Sequence, residues 1–207
     1  MESGAEFINH GGREHTYFDK EKQKYGSCFF YEQQSWKDLK DDILLGHKIL
    51  QDVLGIHATG WRTPHFGTFQ QPEHLKFLYG VLKELKYKFS SSTMPRKIYE
   101  YGPLYRDRGI IEVPISGTWN EPMNILDTWG FFEALDRQKE AKDYYQECLA
   151  ISNFASQQPI LINIYGDPSH ISKEPLFFES MKILAGNTQN RTFAQIIQSL
   201  NEDYWNL

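Results

Sequence analysis

Helical and strand-like segments alternate along this chain, and the alternation constrains the fold more than any other feature of the sequence. The clearest helical segment runs from Trp36 to Leu54, where apolar residues recur at helical spacing. Ser35 is placed to cap this helix and Gly55 to end it. Ile56 to Trp61 follows as a short apolar strand. This order favours an α/β fold over separate helical and sheet layers.

The rest of the chain continues the same pattern. The sequence predicts a helix opening at Gln71-Pro72-Glu73, strands over Tyr87–Ser90, Ile110–Pro114 and Pro159–Tyr165, a loop over 91–109, and helices from about Arg137 to Ala155 and from Thr192 to about Tyr204. Each strand precedes a polar or glycine-rich turn, which suits a distorted or incomplete parallel (β/α) barrel with its chemistry at the carboxyl ends of the strands. We expect residues 1–207 to form a single domain.

Composition excludes several classes of function. A net charge of −5 without a Lys/Arg cluster argues against a nucleic-acid partner and against an anionic membrane surface. The sequence shows no span of about 20 apolar residues and no signal-peptide pattern, so we expect a cytoplasmic protein. Cys28 and Cys148 allow one disulfide at most and no cysteine-rich zinc site. Asn190 begins a glycosylation sequon that is interpreted as a chance match.

Two histidines near the amino end are candidate metal ligands. His10 and His15 follow the strand-like Glu6-Phe7-Ile8 on a glycine-containing loop that is long enough to bring both imidazoles to one ion. Imidazoles combined with a carboxylate suit zinc and related divalent ions. The alternative is that both are ordinary surface histidines.

Arg62 lies at the end of the next predicted strand. The rigid Thr63-Pro64 pair would fix the directions of the following backbone N–H groups, which is what a developing oxyanion requires. Alternatively, Arg62 pairs with a surface carboxylate and Pro64 simply ends the strand.

A carboxylate and an imidazole follow the strand predicted at Pro159–Tyr165. Asp167 or His170 could donate a proton to a leaving amine, or Asp167 could cap a turn. Hydroxyls after Tyr87 either line the same rim or belong to a serine-rich loop. Aromatic residues in or near the predicted rim loops, which could stack on sugars or pack in the core, are Trp61, Phe66, Trp119 and Trp129.

The order and spacing of these features resemble the polysaccharide deacetylase superfamily over nearly the whole chain. The resemblance implies a distorted barrel of parallel strands and a bound divalent metal, expected to be zinc, that serves to remove N-acetyl groups. His10 and His15 match the family's two-histidine metal loop. Arg62-Thr63-Pro64-His65 matches its Arg-x-Pro-aromatic signature, which implies that Arg62 orients the catalytic carboxylate and that the His65 backbone N–H faces the oxyanion.

The chain departs from the family pattern at four places. The histidine loop carries one additional residue, and His65 stands where a tyrosine is common. Asp167 replaces the histidine that acts as general acid in the family, so Asp167 or His170 would have to donate the proton. The family's first β-α-β unit, with an Asp-Asp pair that supplies the base and a metal ligand, has no counterpart before His10. Glu14 is a candidate substitute for the missing carboxylate.

The resemblance predicts a metal-dependent hydrolase of non-peptide C–N amide bonds that removes N-acetyl groups from an amino-sugar polymer, so the expected partner is a carbohydrate. Because the Asp pair and the usual histidine are not matched, enzymatic activity is left open. The alternatives are a non-catalytic carbohydrate-binding or scaffold domain and an amidohydrolase of a small cytoplasmic amide. The unmatched first unit would leave core-facing residues and a strand edge uncovered, so we also expect self-association.

Overall fold

The computed structural model describes residues 4–22, 24–133, 139–172 and 174–200. Two compact units make up the chain. The first comprises Met1–Thr93, Leu104–Pro114 and Thr192–Leu207, and the second comprises Met94–Pro103 and Ile115–Arg191. The single domain expected from the sequence stays a prediction.

The elements of regular structure are short strands and longer helices. The strands are β1 (Thr16–Asp19), β2 (Lys24–Ser27), β3 (Gly60–Arg62), β4 (Phe89–Ser91), β5 (Tyr105–Asp107) and β6 (Ile110–Glu112). The helices are α1 (Trp36–Leu54), α2 (Pro72–Glu84), α3 (Arg96–Tyr101), α4 (Ala141–Ala155), α5 (Pro168–Ile171), α6 (Pro175–Asn187) and α7 (Phe193–Ser199), with a 3-10 turn at Tyr31–Gln33 and a π-helical turn at Trp129–Glu133.

The first unit is built on a four-stranded mixed sheet. Its strand order is β3-β4-β6-β5, in which β3, β4 and β6 run parallel and β5 pairs antiparallel with β6. β1 and β2 form a separate antiparallel hairpin. The α/β class is therefore confirmed, whereas the described residues form no closed barrel. The antiparallel β5 lies at one edge of this open sheet.

Helix α1 forms as the sequence predicts. The Ser35 side chain accepts a hydrogen bond from the Asp38 backbone N–H, and Gly55 ends the helix with φ 66°, a left-handed conformation that glycine adopts without strain. The buried face is made by Leu39, Asp42, Ile43 and Gly46. An acidic residue thus lies on the core-facing side of the helix.

Helix α2 supplies much of the same core. Pro72 opens it at the predicted position, where its missing N–H costs nothing. Its buried residues Leu75, Leu78, Val81 and Leu82 pack with Ile43 and Trp61 in one hydrophobic cluster, and the partly buried Leu85 packs against it. Burying side chains of this size contributes about 1.5–3 kcal/mol each.

The second unit is mainly helical. Tyr144, Cys148 and Ile151 of α4 pack with Phe177 and Leu184 of α6 in a second hydrophobic cluster. Within α4, Glu147 shares the buried face with these apolar residues. Both thiols of the chain, Cys28 and Cys148, are free.

Several predicted elements need correction. The segment predicted as a strand at Pro159–Tyr165 is not a strand: Tyr165 makes one isolated parallel bridge to Asp127, and Ile160 is exposed. The predicted loop over 91–109 contains α3 and β5. An apolar run led to the strand prediction at Pro159–Tyr165, and two prolines and two glycines led to the loop prediction over 91–109. Both segments differ from these predictions because tertiary contacts decide their structure.

Helices α4 and α7 cover only part of the ranges predicted for them. Helix α4 begins at Ala141, and the predicted start near Arg137 lies outside the described residues. Helix α7 has the predicted capping box between Thr192 and Gln195 but ends at Ser199, while the predicted end near Tyr204 also lies outside the described residues. No helix in the described part of the chain is long and apolar enough to cross a membrane.

Candidate functional site

The loop that carries His10 and His15 is attached to the first unit through Asn9. Its backbone forms a parallel bridge with Trp61, with Asn9 N–H donating to Gly60 O at 3.0 Å and Arg62 N–H donating to Asn9 O at 2.9 Å. The strand predicted at Glu6-Phe7-Ile8 is thus reduced to a single bridge at the next residue. This bridge places His10 beside the end of β3.

The Asn9 side chain fixes the same loop from the other side. Its amide nitrogen donates to Ile43 O at 2.9 Å in α1, and its amide oxygen accepts from Gly11 N–H at 3.0 Å. Helix α1 approaches closely here because Gly46 has no side chain, and a Cβ at that position would lie 2.6 Å from the carbonyl carbon of Gly11. The loop therefore rests directly on the helix backbone.

His10 uses one of its ring nitrogens on the backbone. Its Nδ1 lies 2.8 Å from the carbonyl oxygen of Arg62. Although the side chain is partly exposed, desolvation of the charged ring lowers the pKa of His10 to about 4, helped by the nearby His15 and Arg62 and opposed by the Arg62 carbonyl. His10 is consequently neutral near pH 7, as a metal ligand must be.

His15 is held against a carboxylate that sequence reasoning missed. Its Nε2 lies 3.2 Å from Oδ2 of Asp42, whose side chain is fully buried. Both ring nitrogens of His15 are buried and neither makes a hydrogen bond within the described residues, so the contact between Nε2 and Asp42 is electrostatic. The centroids of the His10 and His15 rings lie 6.2 Å apart. The loop therefore brings both predicted ligands close together, with Asp42 behind one of them.

Asp42 gathers donors from three directions. Its Oδ1 accepts from the backbone N–H groups of Gly12 (2.9 Å) and Arg13 (2.7 Å), and its Oδ2 accepts from the Tyr31 hydroxyl at 2.6 Å. Burial opposes ionisation, but the His15 contact and these donors together lower the pKa of the carboxyl group. Glu14, the predicted substitute, is exposed. The available signal for Asp42 was its position on the apolar face of α1.

The Arg62 side chain lies between two aromatic rings. Its guanidinium carbon is 5.6 Å from the ring centroid of Phe66 and 5.8 Å from that of Phe193, distances at which cation–π attraction acts. Its Nη2 donates to Ser91 Oγ at 3.3 Å. The Arg62 guanidinium therefore contacts two aromatic rings and the Ser91 hydroxyl.

His65 has a structural side chain and an unusual backbone. Its Nε2 lies 2.9 Å from the carbonyl oxygens of both His15 and Cys28, so the imidazole holds the two ends of the β1–β2 hairpin together. Burial lowers the pKa of His65 against the opposing effect of those carbonyls. Its φ is 51°, a conformation rare for residues with a side chain. Within the described chain, no group accepts a hydrogen bond from its backbone N–H.

The histidine pair fits a divalent cation as two of its ligands. Each ring has one nitrogen beside an oxygen, which leaves the other as a lone-pair donor, and the unpartnered Nδ1 of His15 is such an atom. No group of three or more His, Cys, Asp or Glu side chains suited to a metal occurs among the described residues. A third protein ligand is therefore not found in residues 4–22, 24–133, 139–172 and 174–200.

The two remaining predicted residues lie in the second unit. Asp167 caps α5, because its Oδ1 accepts from Ser169 N–H at 2.8 Å and from Ser169 Oγ at 2.6 Å. The Nδ1 of His170 lies 3.2 Å from Thr128 Oγ1, and its ring lies 5.6 Å from that of Trp129. The capping alternative for Asp167 is thus confirmed. The convergence of Asp167 and His170 with the histidine loop stays a prediction.

The hydroxyls and aromatic residues predicted at the rim divide into buried and exposed groups. Ser90, Ser91 and Ser92 are fully buried and do not line an open surface. Trp61 is also fully buried, so the core-packing alternative holds for it. Trp119 is 46% exposed and contacts Phe154 at a ring-centroid distance of 5.2 Å.

Trp119 stands on a loop that a buried acid holds in place. Glu147 accepts hydrogen bonds from Trp119 N–H (2.5 Å), Asn120 N–H (3.2 Å) and Asn120 Nδ2 (2.7 Å). This arrangement fixes the backbone beneath an exposed indole ring. Like Asp42, Glu147 is an acidic residue on the buried face of a helix.

Comparison with known proteins identifies the fold. No family sequence model and no curated protein sequence matches the chain. The crystal structure of a protein assigned as a polysaccharide deacetylase from Mycobacterium smegmatis is similar, with a TM-score of 0.62 and 16% sequence identity. The match covers 86% of this chain and 61% of that one, so this chain spans less than two thirds of its structural relative. The resemblance drawn from the Arg62 motif and the histidine loop is therefore confirmed at the level of the fold: this chain shares the fold of that polysaccharide deacetylase relative.

Proposed function

We propose that this chain is part of a metal-dependent hydrolase of non-peptide C–N amide bonds, which removes N-acetyl groups from an amino-sugar polymer. The observation that carries the proposal is the pairing of His10 and His15 beside the end of β3, in a fold shared with a polysaccharide deacetylase. The distorted barrel and the carbohydrate partner that we expect from the sequence belong to the same proposal.

His10 and His15 would hold the cation, which we expect to be zinc, because imidazole nitrogens are ligands that suit that ion. A bound divalent cation supplies Lewis acidity, which lowers the pKa of water and polarises a carbonyl oxygen. The uncommitted backbone N–H of His65, held by Pro64 and a left-handed φ, would donate to a developing oxyanion.

Arg62 and the residues of the second unit complete the proposed roles. The Arg62 guanidinium would orient the carboxylate that takes a proton from water, as the family resemblance implies. Asp167 or His170 would donate a proton to the leaving amine. The hydrogen bonds from Ser169 to Oδ1 of Asp167 fix the direction of its carboxyl group.

The proposal is tested by zinc content and acetate release in parallel. Protein purified with zinc is assayed on chitin oligomers and on N-acetylated peptidoglycan fragments. We expect His10→Asn and His15→Asn to lose both bound zinc and acetate release, whereas His57→Asn, a change at an exposed histidine outside the site, retains them. Absence of bound zinc in the unaltered protein, together with no acetate release from either substrate, would sink the proposal.

The role of Asp167 has its own matched variant. Asparagine caps helices about as well as aspartate but has no carboxyl proton to donate. If Asp167 is the general acid, Asp167→Asn loses acetate release and keeps its zinc. Full activity in Asp167→Asn assigns the proton transfer to His170 instead.

A second candidate, a non-catalytic carbohydrate-binding domain, is favoured by the exposed Trp119. Indole rings stack on the apolar faces of sugars, and the loop under Trp119 is fixed by Glu147. This candidate predicts that chitin oligomers change the tryptophan fluorescence of the protein and that Trp119→Ala removes the change without any dependence on zinc.

A further inference from the structure

The two histidines of the loop present opposite ring nitrogens to oxygen atoms of the protein. His10 presents Nδ1 to the carbonyl oxygen of Arg62 at 2.8 Å. A carbonyl oxygen only accepts hydrogen bonds, so the proton of the neutral His10 ring lies on Nδ1 and the lone pair on Nε2.

His15 is arranged the other way round. Its Nε2 lies 3.2 Å from Asp42 Oδ2, at ion-pair distance. An unprotonated Nε2 there would set its lone pair against a carboxylate oxygen, which is electrostatically unfavourable in a buried site. The 3.2 Å contact with the carboxylate therefore places the His15 proton on Nε2, although neither ring nitrogen makes a hydrogen bond within the described residues, and Nδ1 keeps the lone pair.

Hydrogen bonds from the protein hold both oxygens of Asp42. Three donors already point at its two oxygens: the N–H groups of Gly12 and Arg13 at Oδ1 and the Tyr31 hydroxyl at Oδ2. Gly11 leaves room for the contact with His15, since a Cβ there would lie 2.5 Å from Asp42 Oδ2 and 2.6 Å from His15 Nε2.

We propose that Asp42 is a positioning residue that holds His15 in its Nε2–H tautomer, so that the loop offers Nε2 of His10 and Nδ1 of His15 to a divalent cation. The inference rests on the proposed metal-binding function of the two histidines. A carboxylate that fixes the tautomer of a ligating histidine raises metal affinity by orienting the ring. Asp42 acts through His15 and does not touch the cation.

The first test needs no metal. Long-range proton–nitrogen NMR of the metal-free protein, at about pH 8 and so above the ordinary pKa of histidine, reports which ring nitrogen is protonated. We expect Nδ1–H for His10 and Nε2–H for His15. A His15 ring protonated on Nδ1 would overturn the inference, whatever the protein binds.

The second test is Asp42→Asn. The amides of Gly12 and Arg13 require an acceptor at the Oδ1 position, so the new amide nitrogen would take the Oδ2 position and donate towards His15 Nε2. That exchange moves the His15 proton to Nδ1 and removes the lone pair offered to the cation. We expect the NMR pattern of His15 to reverse and zinc affinity, measured by competition with a chromophoric chelator, to fall about 10- to 100-fold.

Asp41→Asn is the matched control, because Asp41 is the neighbouring residue of α1 and, within the described part of the chain, pairs only with Lys37 at the surface. It should leave the tautomer and the affinity unchanged. Zinc binding that Asp42→Asn does not weaken, with the His15 tautomer unaltered, overturns the role of Asp42 while the proposed function stands. A protein that binds no zinc but has Nε2–H on His15 supports the positioning role and contradicts the proposed function. If Asp42→Asn does not fold, the tautomer in the unaltered protein decides.

Discussion

Replacing Gly46 by alanine has two opposing effects on the stability of the protein at the point where the histidine loop rests on α1. Alanine is favoured over glycine in a helix interior by about 1 kcal/mol. At this position, however, the new Cβ would lie 2.6 Å from both the carbonyl carbon and the carbonyl oxygen of Gly11 and would overlap the amide oxygen of Asn9. Backbone atoms cannot turn away as a side chain can, so the loop has to move.

Moving the loop removes specific bonds. Asn9 would lose its hydrogen bond to Ile43 O, and Gly11 N–H would lose the Asn9 side chain, at about 1 kcal/mol each. Overpacking adds about 1–3 kcal/mol. After subtracting the helix-propensity gain, we expect Gly46→Ala to lower the free energy of unfolding by about 2–4 kcal/mol.

Urea denaturation followed by circular dichroism measures this change, and Gly80→Ala is its control. Gly80 lies inside α2 and a Cβ there meets nothing within 4 Å, so the control should gain about 1 kcal/mol. If Gly46→Ala is as stable as the unaltered protein, or gains stability as the control does, the close seating of the loop on α1 is refuted.

Two further predictions concern titration and the second unit. The pKa of His10 is about 4 in the folded protein against an ordinary value of 6.5, so the unfolded chain takes up this proton first as the pH falls. The free energy of unfolding should therefore decrease as pH falls from 6.5 towards 4. His10→Asn should flatten this part of the pH profile, and an unchanged slope would contradict the low pKa. Glu147→Ala leaves the N–H groups of Trp119 and Asn120 without their acceptor, so it should lower the free energy of unfolding by about 1–3 kcal/mol and shift Trp119 emission to longer wavelength. The control Glu179→Ala, on the surface of α6, should change the free energy of unfolding by less than about 0.5 kcal/mol. Equal effects of the two substitutions would argue against the anchoring role of Glu147.

Local rules predicted the elements whose signals are contained within a few residues. The cap at Ser35, the left-handed Gly55 and the capping box at Thr192 are such signals, and α1 and α7 begin where they indicate. The segment Pro159–Tyr165 shows the opposite case. Its apolar run is compatible with a buried strand, but the segment makes an isolated bridge between Tyr165 and Asp127 instead of a strand ladder, and no sequence window contains that information.

The same division applies to the site. His10, His15 and Arg62 were found because their residue types and order resemble a known pattern. Asp42 was missed because it lies in the helix, 27 positions beyond the second histidine, and no local rule joins the two. The sequence feature that indicates Asp42 is an acidic residue on the apolar stripe of a helix, and Glu147 shows the same feature in α4.

Glu112 extends the observation to a strand. This fully buried residue of β6 accepts hydrogen bonds from the backbone N–H groups of Ser92 (2.6 Å) and Thr93 (2.9 Å). Burial raises the pKa of its carboxyl group against those donors. In all three cases the acid collects the backbone N–H groups of a neighbouring loop, so an acidic residue at a core-facing position indicates a loop that the chain holds in place.

The imidazole of His65 closes the neck of the β1–β2 hairpin, where it bonds to the carbonyl oxygens of His15 and Cys28 and where Cys28 N–H donates to His15 O at 2.8 Å. Beyond this neck, Tyr17, Phe18 and Tyr25 are exposed. The hairpin can therefore lengthen, shorten or change its surface during evolution while His15 keeps its place.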